Sequence, residues 1–207
     1  MIPGTLPTRI YLASRSPRRR ELLHQIGIDF DTLIFRTPPR DDADVAEDVL
    51  PGEDPVSYVQ RVAVAKAEGG VRRLAWRNLR RQPVLSADTT LDLDGEIIGK
   101  PESPEHATEI LRKLSGRRHR VLTAVAIGDD SRLEHRLSIS TVQMRELSDD
   151  DIRRYLATGE PFDKAGAYGI QGRAGAFVSE IHGSYTGIMG LPLFETSELL
   201  REFGVVA

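Results

Sequence analysis

A chain of 207 residues, 40% hydrophobic and 29% charged, is long enough for one sizeable core or two small lobes, and no run approaches the ~20 apolar residues of a membrane span. The absence of cysteine excludes disulfides, thiolate chemistry and cysteine-ligated zinc, and a net charge of -3 argues against a protein whose main work is coating nucleic acid. The N-terminus lacks a basic region followed by an apolar core, so a cytoplasmic protein without a membrane partner is expected.

In chain order, Ile10 to Ala13 reads as a short strand leading into a helix that Ser16 caps, Pro17 opens and Gly27 stops, with Leu22, Leu23 and Ile26 as its apolar stripe. Arg18, Arg19 and Arg20 fill the first turn. They oppose the helix dipole, whose positive end disfavours each cation by about 0.3–1 kcal/mol. Phe30 to Phe35 reads as a second strand, and the proline- and acid-rich stretch from Arg36 to Pro55 as a flexible loop able to cover a site. A long helix starts at about Asp54, with Val59, Val62 and Ala63 on one face, and Gly69 and Gly70 interrupt or end its first part. "RRLAWRNLRR", Arg72 to Arg81, is expected to be the solvated face of a helix with Leu74, Trp76 and Leu79 turned inward.

"PVLSADTTLDLDGEIIGKP" predicts two strands joined at Asp94-Gly95. A helix capped by Ser103 follows, burying Ala107, Ile110, Leu111 and Leu114, and a second hairpin turns around Gly128 to Arg132. Next, Ser148 caps a helix with Asp149, Asp150 and Asp151 in its first turn, stapled by Leu147 and Ile152 and ended by Gly159. The glycine-rich "DKAGAYGIQGRAGAFVSEI" and a helix from Pro192 to Phe203 complete the chain. Strand–helix units enclosing antiparallel hairpins predict an α/β protein with a mixed twisted sheet in one or two lobes.

Several residues stand out chemically. Ser14, Ser16, Arg18 and Arg19 surround a helix N-terminus, where free backbone N–H groups and guanidinium forks suit a polyanion, although surface arginines answered by Glu21 and other acids would read the same. Lys66 falls on the apolar face of its helix, so it either snorkels or points into a cleft. Asp88, Thr90 and Asp92 share one strand face and Thr89, Leu91 and Leu93 the other. Asp88 there requires a metal, an activated water or exposure to solvent. Lys100, ahead of Pro101, offers a point charge to a phosphate, but "GEIIGKP" lacks the spacing of a Walker loop. Gln171 projects an amide from a run of glycines and alanines, suited to reading a base edge or to a tight structural loop. His24, His106, His119, His135 and His182 show no ligand spacing and are taken as surface or structural residues.

Taken together, "LASRSPRRRELL", "SADTT" with "GKP" downstream, "DKAGAYGIQG" and "GSYTGIMGLPLFETSELL" resemble the Maf family of nucleoside triphosphate pyrophosphatases from about Ile10 to Phe203. The resemblance implies one Maf-like domain over residues 1–207, with two lobes flanking a deep substrate cleft as in inosine triphosphate pyrophosphatases. It also implies a divalent cation, Mg²⁺ or Mn²⁺, and cleavage of a nucleoside triphosphate between its α and β phosphates. It places Ser14, Ser16, Arg18 and Arg19 at the phosphates, turns Lys66 and Lys100 to the cleft, and makes Asp88 the catalytic acid that holds the metal or activates water. Arg18, Thr89 and Gln171 fall where the family's branches differ, and the pattern looks like the branch acting on dTTP, UTP and modified pyrimidine nucleotides. Asp41 or Asp42 is the candidate second metal ligand. A homodimer is plausible from the family, and stable nucleic-acid binding is not expected. Competing readings are a pyrophosphatase for deaminated purines and a non-enzymatic regulator binding nucleic acid or a division protein.

Overall fold

Three long strands carry the framework of the protein, whose computed structural model describes residues 9–34 and 45–205. The stretches rich in Val, Leu, Ile, Ala and Thr form β3 (Val84–Leu93), β5 (Arg118–Gly128) and β6 (Leu133–Met144), paired antiparallel in unbroken register from Val84↔Gly128 to Asp92↔Arg120 and from Arg118↔Gln143 to Gly128↔Leu133. At one end β1 (Ile10–Leu12) lies parallel to β3 and to β2 (Phe30–Thr32); at the far edge β7 (Val178–His182) pairs with β6. β4 (Glu96–Ile98) returns along β3 after a turn in which Asp94 and Gly95 both take positive φ, the geometry of a tight hairpin. The sheet is therefore mixed, in the order β2-β1-β3-β5-β6-β7 with β4 beside β3.

The arrangement of neighbours along β3 creates the cleft. β1 pairs with Val84 and Leu85, β4 with Leu91 to Leu93, and both occupy the same edge of β3. Among the described residues no strand lies alongside residues 86–90 on that edge. Two hydrophobic cores flank this gap, one formed by β1, α1 (Pro17–Gln25) and α6 (Leu193–Glu202), the other by β4, α3 (Pro104–Leu114) and α4 (Asp149–Leu156). Both draw on β3 and β5, so the two lobes share strands.

Local sequence determines most helix ends. Ser16, Ser103 and Ser148 each accept a hydrogen bond from a backbone N–H of the first turn, and Asp151 completes a capping box with Ser148. The expected buried face of α3, Ala107, Ile110, Leu111 and Leu114, is the one observed. The closing helix and both hairpins also lie where the sequence places them.

Several expectations are corrected. α2 (Pro55–Trp76) runs 22 residues without a break, so Gly69 and Gly70 neither interrupt nor end it. The basic stretch is not one helical face: α2 stops at Trp76, Arg77 caps it, and the Leu79 N–H returns to the Leu74 carbonyl at 2.9 Å. Leu74 is buried as expected, but Trp76 is 69% exposed and Leu79 38% exposed, while Arg73 is turned inward. The strand expected over Phe30–Phe35 ends at Thr32. The loop residues 36–44, with Asp41 and Asp42, lie outside the described residues. Between α4 and β7 the glycine-rich segment forms three short 3₁₀ turns, at Glu160–Asp163, Ala165–Ala167 and Arg173–Phe177, and α5 (Tyr185–Met189) follows β7. Among the described residues no helix is long and apolar enough to cross a membrane.

Candidate active site

The gap beside β3 opens into a cleft of about 560 Å³, within the size range of small-molecule sites. All of Ser14, Ser16, Arg18, Arg19, Lys66, Asp88, Thr89, Lys100 and Gln171 line it, whereas Arg20 does not. Residues separated by up to 157 positions thus meet in one concavity.

The two faces of β3 supply different functions. Unbroken pairing with β5 preserves strict alternation, so Ser86, Asp88 and Thr90 face α2 with Ala124 opposite Asp88, and Thr89 faces α5. Ser86 Oγ donates to the Ala63 carbonyl at 2.7 Å, seating α2 on the sheet. One turn further along the helix, Lys66 Nζ donates to Asp88 Oδ1 at 2.8 Å and lies 2.8 Å from Glu47 Oε1. The lysine does not snorkel to bulk water: its side chain is 12% exposed and bracketed by two carboxylates.

Glu47 also lines the cleft and was not singled out in the sequence. It stands in a tract with four other acids between Asp41 and Asp48, and only the long-range contact with α2 distinguishes it. Burial pushes its carboxyl upward, but the charge and hydrogen bond of Lys66, aided by Lys100 and Arg19, outweigh this and hold it below the usual range. Tyr58 Oη donates to the Glu47 carbonyl at 3.0 Å, and burial beside Asp88 and Glu47 pushes its phenol up to about 12. It therefore remains a neutral donor at physiological pH.

On the other face, Arg19 ties three segments together. Its Nε donates to the Gly190 carbonyl at 2.7 Å, one terminal nitrogen to Ser14 Oγ and the other to Thr89 Oγ1, both at 3.2 Å. Thr123 Oγ1 lies 3.0 Å from Thr89 Oγ1 and donates to the Gly187 carbonyl at 2.8 Å, so a chain of hydrogen bonds runs from guanidinium to α5. Burial pulls the Arg19 pKa down, with Asp88 opposing and neighbouring Arg18 reinforcing the shift. Arg18 instead reaches across the cleft, its Nη1 donating to Asp163 Oδ2 at 2.9 Å. Burial raises the Asp163 carboxyl, but hydrogen bonds from Lys164 and Arg18 hold it below its ordinary value. Asp163, Lys164 and Tyr168 also line the cleft and were not singled out, although all three lie in the "DKAGAYGIQG" motif.

Gln171 and Lys100 stand exposed at the second lobe's side of the opening. His119 is buried and structural, its Nε2 lying 2.8 Å from Tyr168 Oη. Asp92 is buried as well, accepting from the Gly95 N–H at 2.7 Å and from Arg120 Nε at 2.8 Å, so it holds the hairpin turn and takes no place in the cleft.

Residues 9–203 match the family model described as Maf-like protein. The chain belongs to the Maf family. Curated relatives named dTTP/UTP pyrophosphatase include those of Aromatoleum aromaticum, 64% identical over 96% of this chain and 97% of its own length, and Dechloromonas aromatica, 60% identical over 95% and 98%. A third, from Chromobacterium violaceum, is 54% identical over 97% and 98%. The Maf chain also shares its fold with the Staphylococcus aureus Ham1 protein, at a TM-score of 0.50 and 18% identity over 94% of this chain and 97% of that one.

Proposed function

We propose that this Maf protein hydrolyses dTTP and UTP, and modified pyrimidine nucleotides of the same shape, to the nucleoside monophosphate and pyrophosphate. The observation that carries the reading is the meeting of four cations, Arg18, Arg19, Lys66 and Lys100, with the carboxylates of Asp88 and Glu47 in one cleft. Near relatives named for that activity support it.

The triphosphate lies against the N-terminus of α1, where the Ser16-capped first turn and its dipole meet anionic oxygens. Arg18, Lys66 and Lys100 neutralise the phosphates directly. Arg19 contributes charge from a fixed position, since each terminal nitrogen keeps a second N–H beyond those bound to Ser14 and Thr89. This explains why cations occupy a helix end that ordinarily disfavours them. Asp88 orients a water for in-line attack on the α-phosphorus and takes its proton, and the pyrophosphate leaves toward the lysines, whose charge stabilises it. Gln171 meets the base at the opposite end of the cleft.

Asp88 and Glu47 already hold one cation, the Lys66 ammonium, between oxygen donors, and a pair of hard carboxylates suits Mg²⁺ or Mn²⁺. Such an ion, held by these two residues, would supply charge neutralisation on the phosphoryl oxygens and polarisation of water. The same reading expects action in the cytoplasm as a homodimer, without stable nucleic-acid binding.

The test is incubation of the purified protein with Mg²⁺ and a panel of dTTP, UTP, CTP, ITP and 7-methylguanosine triphosphate, reading pyrophosphate. Release from dTTP and UTP is expected, and Asp88→Asn should lower kcat at least ~100-fold, the usual weight of an acid–base group. Turnover of ITP alone, or of none of the five, overturns the proposal.

A further inference from the structure

The loop that carries Gln171 is held by a carboxylate that does not face the cleft. Gly169 to Gly172 form a tight turn closed by the Gly172 N–H on the Gly169 carbonyl at 3.0 Å, and Gln171 sits within it. Glu160, from the first 3₁₀ turn, lies beneath. Its Oε2 accepts from the Arg173 N–H at 3.1 Å, just beyond the turn. Its Oε1 accepts from Tyr155 Oη at 2.9 Å, and that hydroxyl oxygen in turn accepts from the Gly169 N–H at 3.2 Å, just before Gln171. One side chain thus fixes the backbone on both sides of Gln171, directly on one and through a tyrosine on the other.

Packing leaves this arrangement little freedom. A Cβ at Gly172 would stand 2.2 Å from Glu160 Oε1, so the carboxylate occupies the space under the turn. Tyr155 is 2% exposed and meets the Phe177 ring edge-on at 5.3 Å. Burial drives its phenol far above the ordinary value, with Glu160 contributing, so the hydroxyl remains protonated and acts as donor and acceptor together. The Lys164 ammonium donates to the Glu160 carbonyl at 2.6 Å, anchoring the backbone from which the carboxylate projects.

We infer that Glu160 and Tyr155 are positioning residues for base selectivity: they fix the turn that aims the Gln171 amide, and they touch neither phosphates nor the reacting atoms. The inference rests on the pyrimidine triphosphatase reading and assigns the source of its discrimination. An amide on a freely moving glycine-rich turn would lose conformational entropy at each binding event, whereas a turn held at both ends has that cost already met by folding.

The experiment compares wild type with Glu160→Gln and Tyr155→Phe, using dTTP, UTP and CTP as substrates and inorganic tripolyphosphate as a competitive inhibitor without a base. Glu160→Gln keeps shape but faces one N–H with an NH₂ group; Tyr155→Phe keeps the contact with Phe177 and loses only the hydroxyl. Both are expected to raise KM for dTTP and UTP about 5–10-fold, the effect of one or two weakened hydrogen bonds, with kcat within about twofold. The preference for dTTP over CTP falls by a similar factor, while the Ki of tripolyphosphate stays unchanged. Unaltered KM and preference, or KM and the tripolyphosphate Ki rising together, overturns the inference and leaves the proposed activity standing. Wild type inactive on dTTP and UTP overturns the activity and the inference with it. Should Glu160→Gln fail to give a cooperative thermal transition, Tyr155→Phe decides the matter alone.

Discussion

Arg19 and Lys66 show how much of the site is written locally. Ser16, Pro17 and the arginines mark a helix end, and two of the three residues that oppose the helix dipole, Arg18 and Arg19, turn to the cleft. The position of Lys66 four residues after Val62 puts it on the apolar face, where it meets Asp88. Glu47 was not legible, because nothing within its own acidic tract separates it from its neighbours. The same holds for His119, whose spacing suggests only that it binds no metal, yet it lies 2% exposed against Tyr168, with Nδ1 lacking a hydrogen-bond partner among the described residues. Burial holds its imidazole neutral, lowering its pKa from 6.5 to about 4. The unfolded chain therefore takes up a proton between those values while the folded chain does not. The stabilising contribution is fully present above pH 6.5 and is lost as pH falls toward 4, up to roughly 3 kcal/mol at about 1.4 kcal/mol per pH unit. His119→Gln, which does not titrate, should lose correspondingly less stability than wild type in urea unfolding across that window. Parallel curves for the two proteins would contradict a neutral buried imidazole.

The elements were legible wherever caps and periodicity agreed, as in α3 and both hairpins, and misread where a residue's reason is tertiary. Two adjacent glycines look like a break because each costs a helix about 1 kcal/mol relative to alanine. In α2 their use is to let the helix approach the sheet. A Cβ at Gly70 would lie 2.6 Å from Val84 Cγ1 and 3.4 Å from Leu33 Cδ2, whereas at Gly69 the nearest atom, at 3.0 Å, is the flexible end of Arg73. This difference separates two substitutions with the same helix propensity. Gly70→Ala pushes α2 off β3, and overpacking of about 1–3 kcal/mol exceeds the gain in propensity, so Tm should fall by several degrees. Gly69→Ala should cost less than Gly70→Ala, because its nearest neighbour is the end of a long side chain and not a branched residue packed within the sheet. Differential scanning calorimetry of both variants checks the pair, and Gly70→Ala should also raise KM, since α2 carries Lys66. Equal effects would mean that close approach to Val84 is not what the glycine provides.

At the scale of the molecule, the gap beside β3 separates two cores without separating two folding units. β3 and β5 pass through both, with Leu85, Ala87, Val125 and Ile127 in one core and Leu91, Leu93 and Val121 in the other. Neither core can lose its packing while those strands keep theirs, so unfolding should be a single cooperative transition. The cleft is lined from both sides, Ser14, Arg18 and Arg19 from one and Lys100, Asp163 and Gln171 from the other, and the Arg18–Asp163 pair spans it. That pair is partly exposed and contributes little to stability, so ligand contacts made by both lobes dominate any strengthening across the gap. A non-hydrolysable imido analogue of dUTP at about 100 times its Kd should stabilise by about 2.7 kcal/mol. For a chain of this size that raises Tm by about 5–11 °C. The decisive feature is the shape of the calorimetric trace. One transition should move as a whole, with calorimetric and van't Hoff enthalpies agreeing both with and without the analogue. If the analogue instead split the trace into a shifted and an unshifted component, the two cores would unfold independently and the shared strands would not couple them.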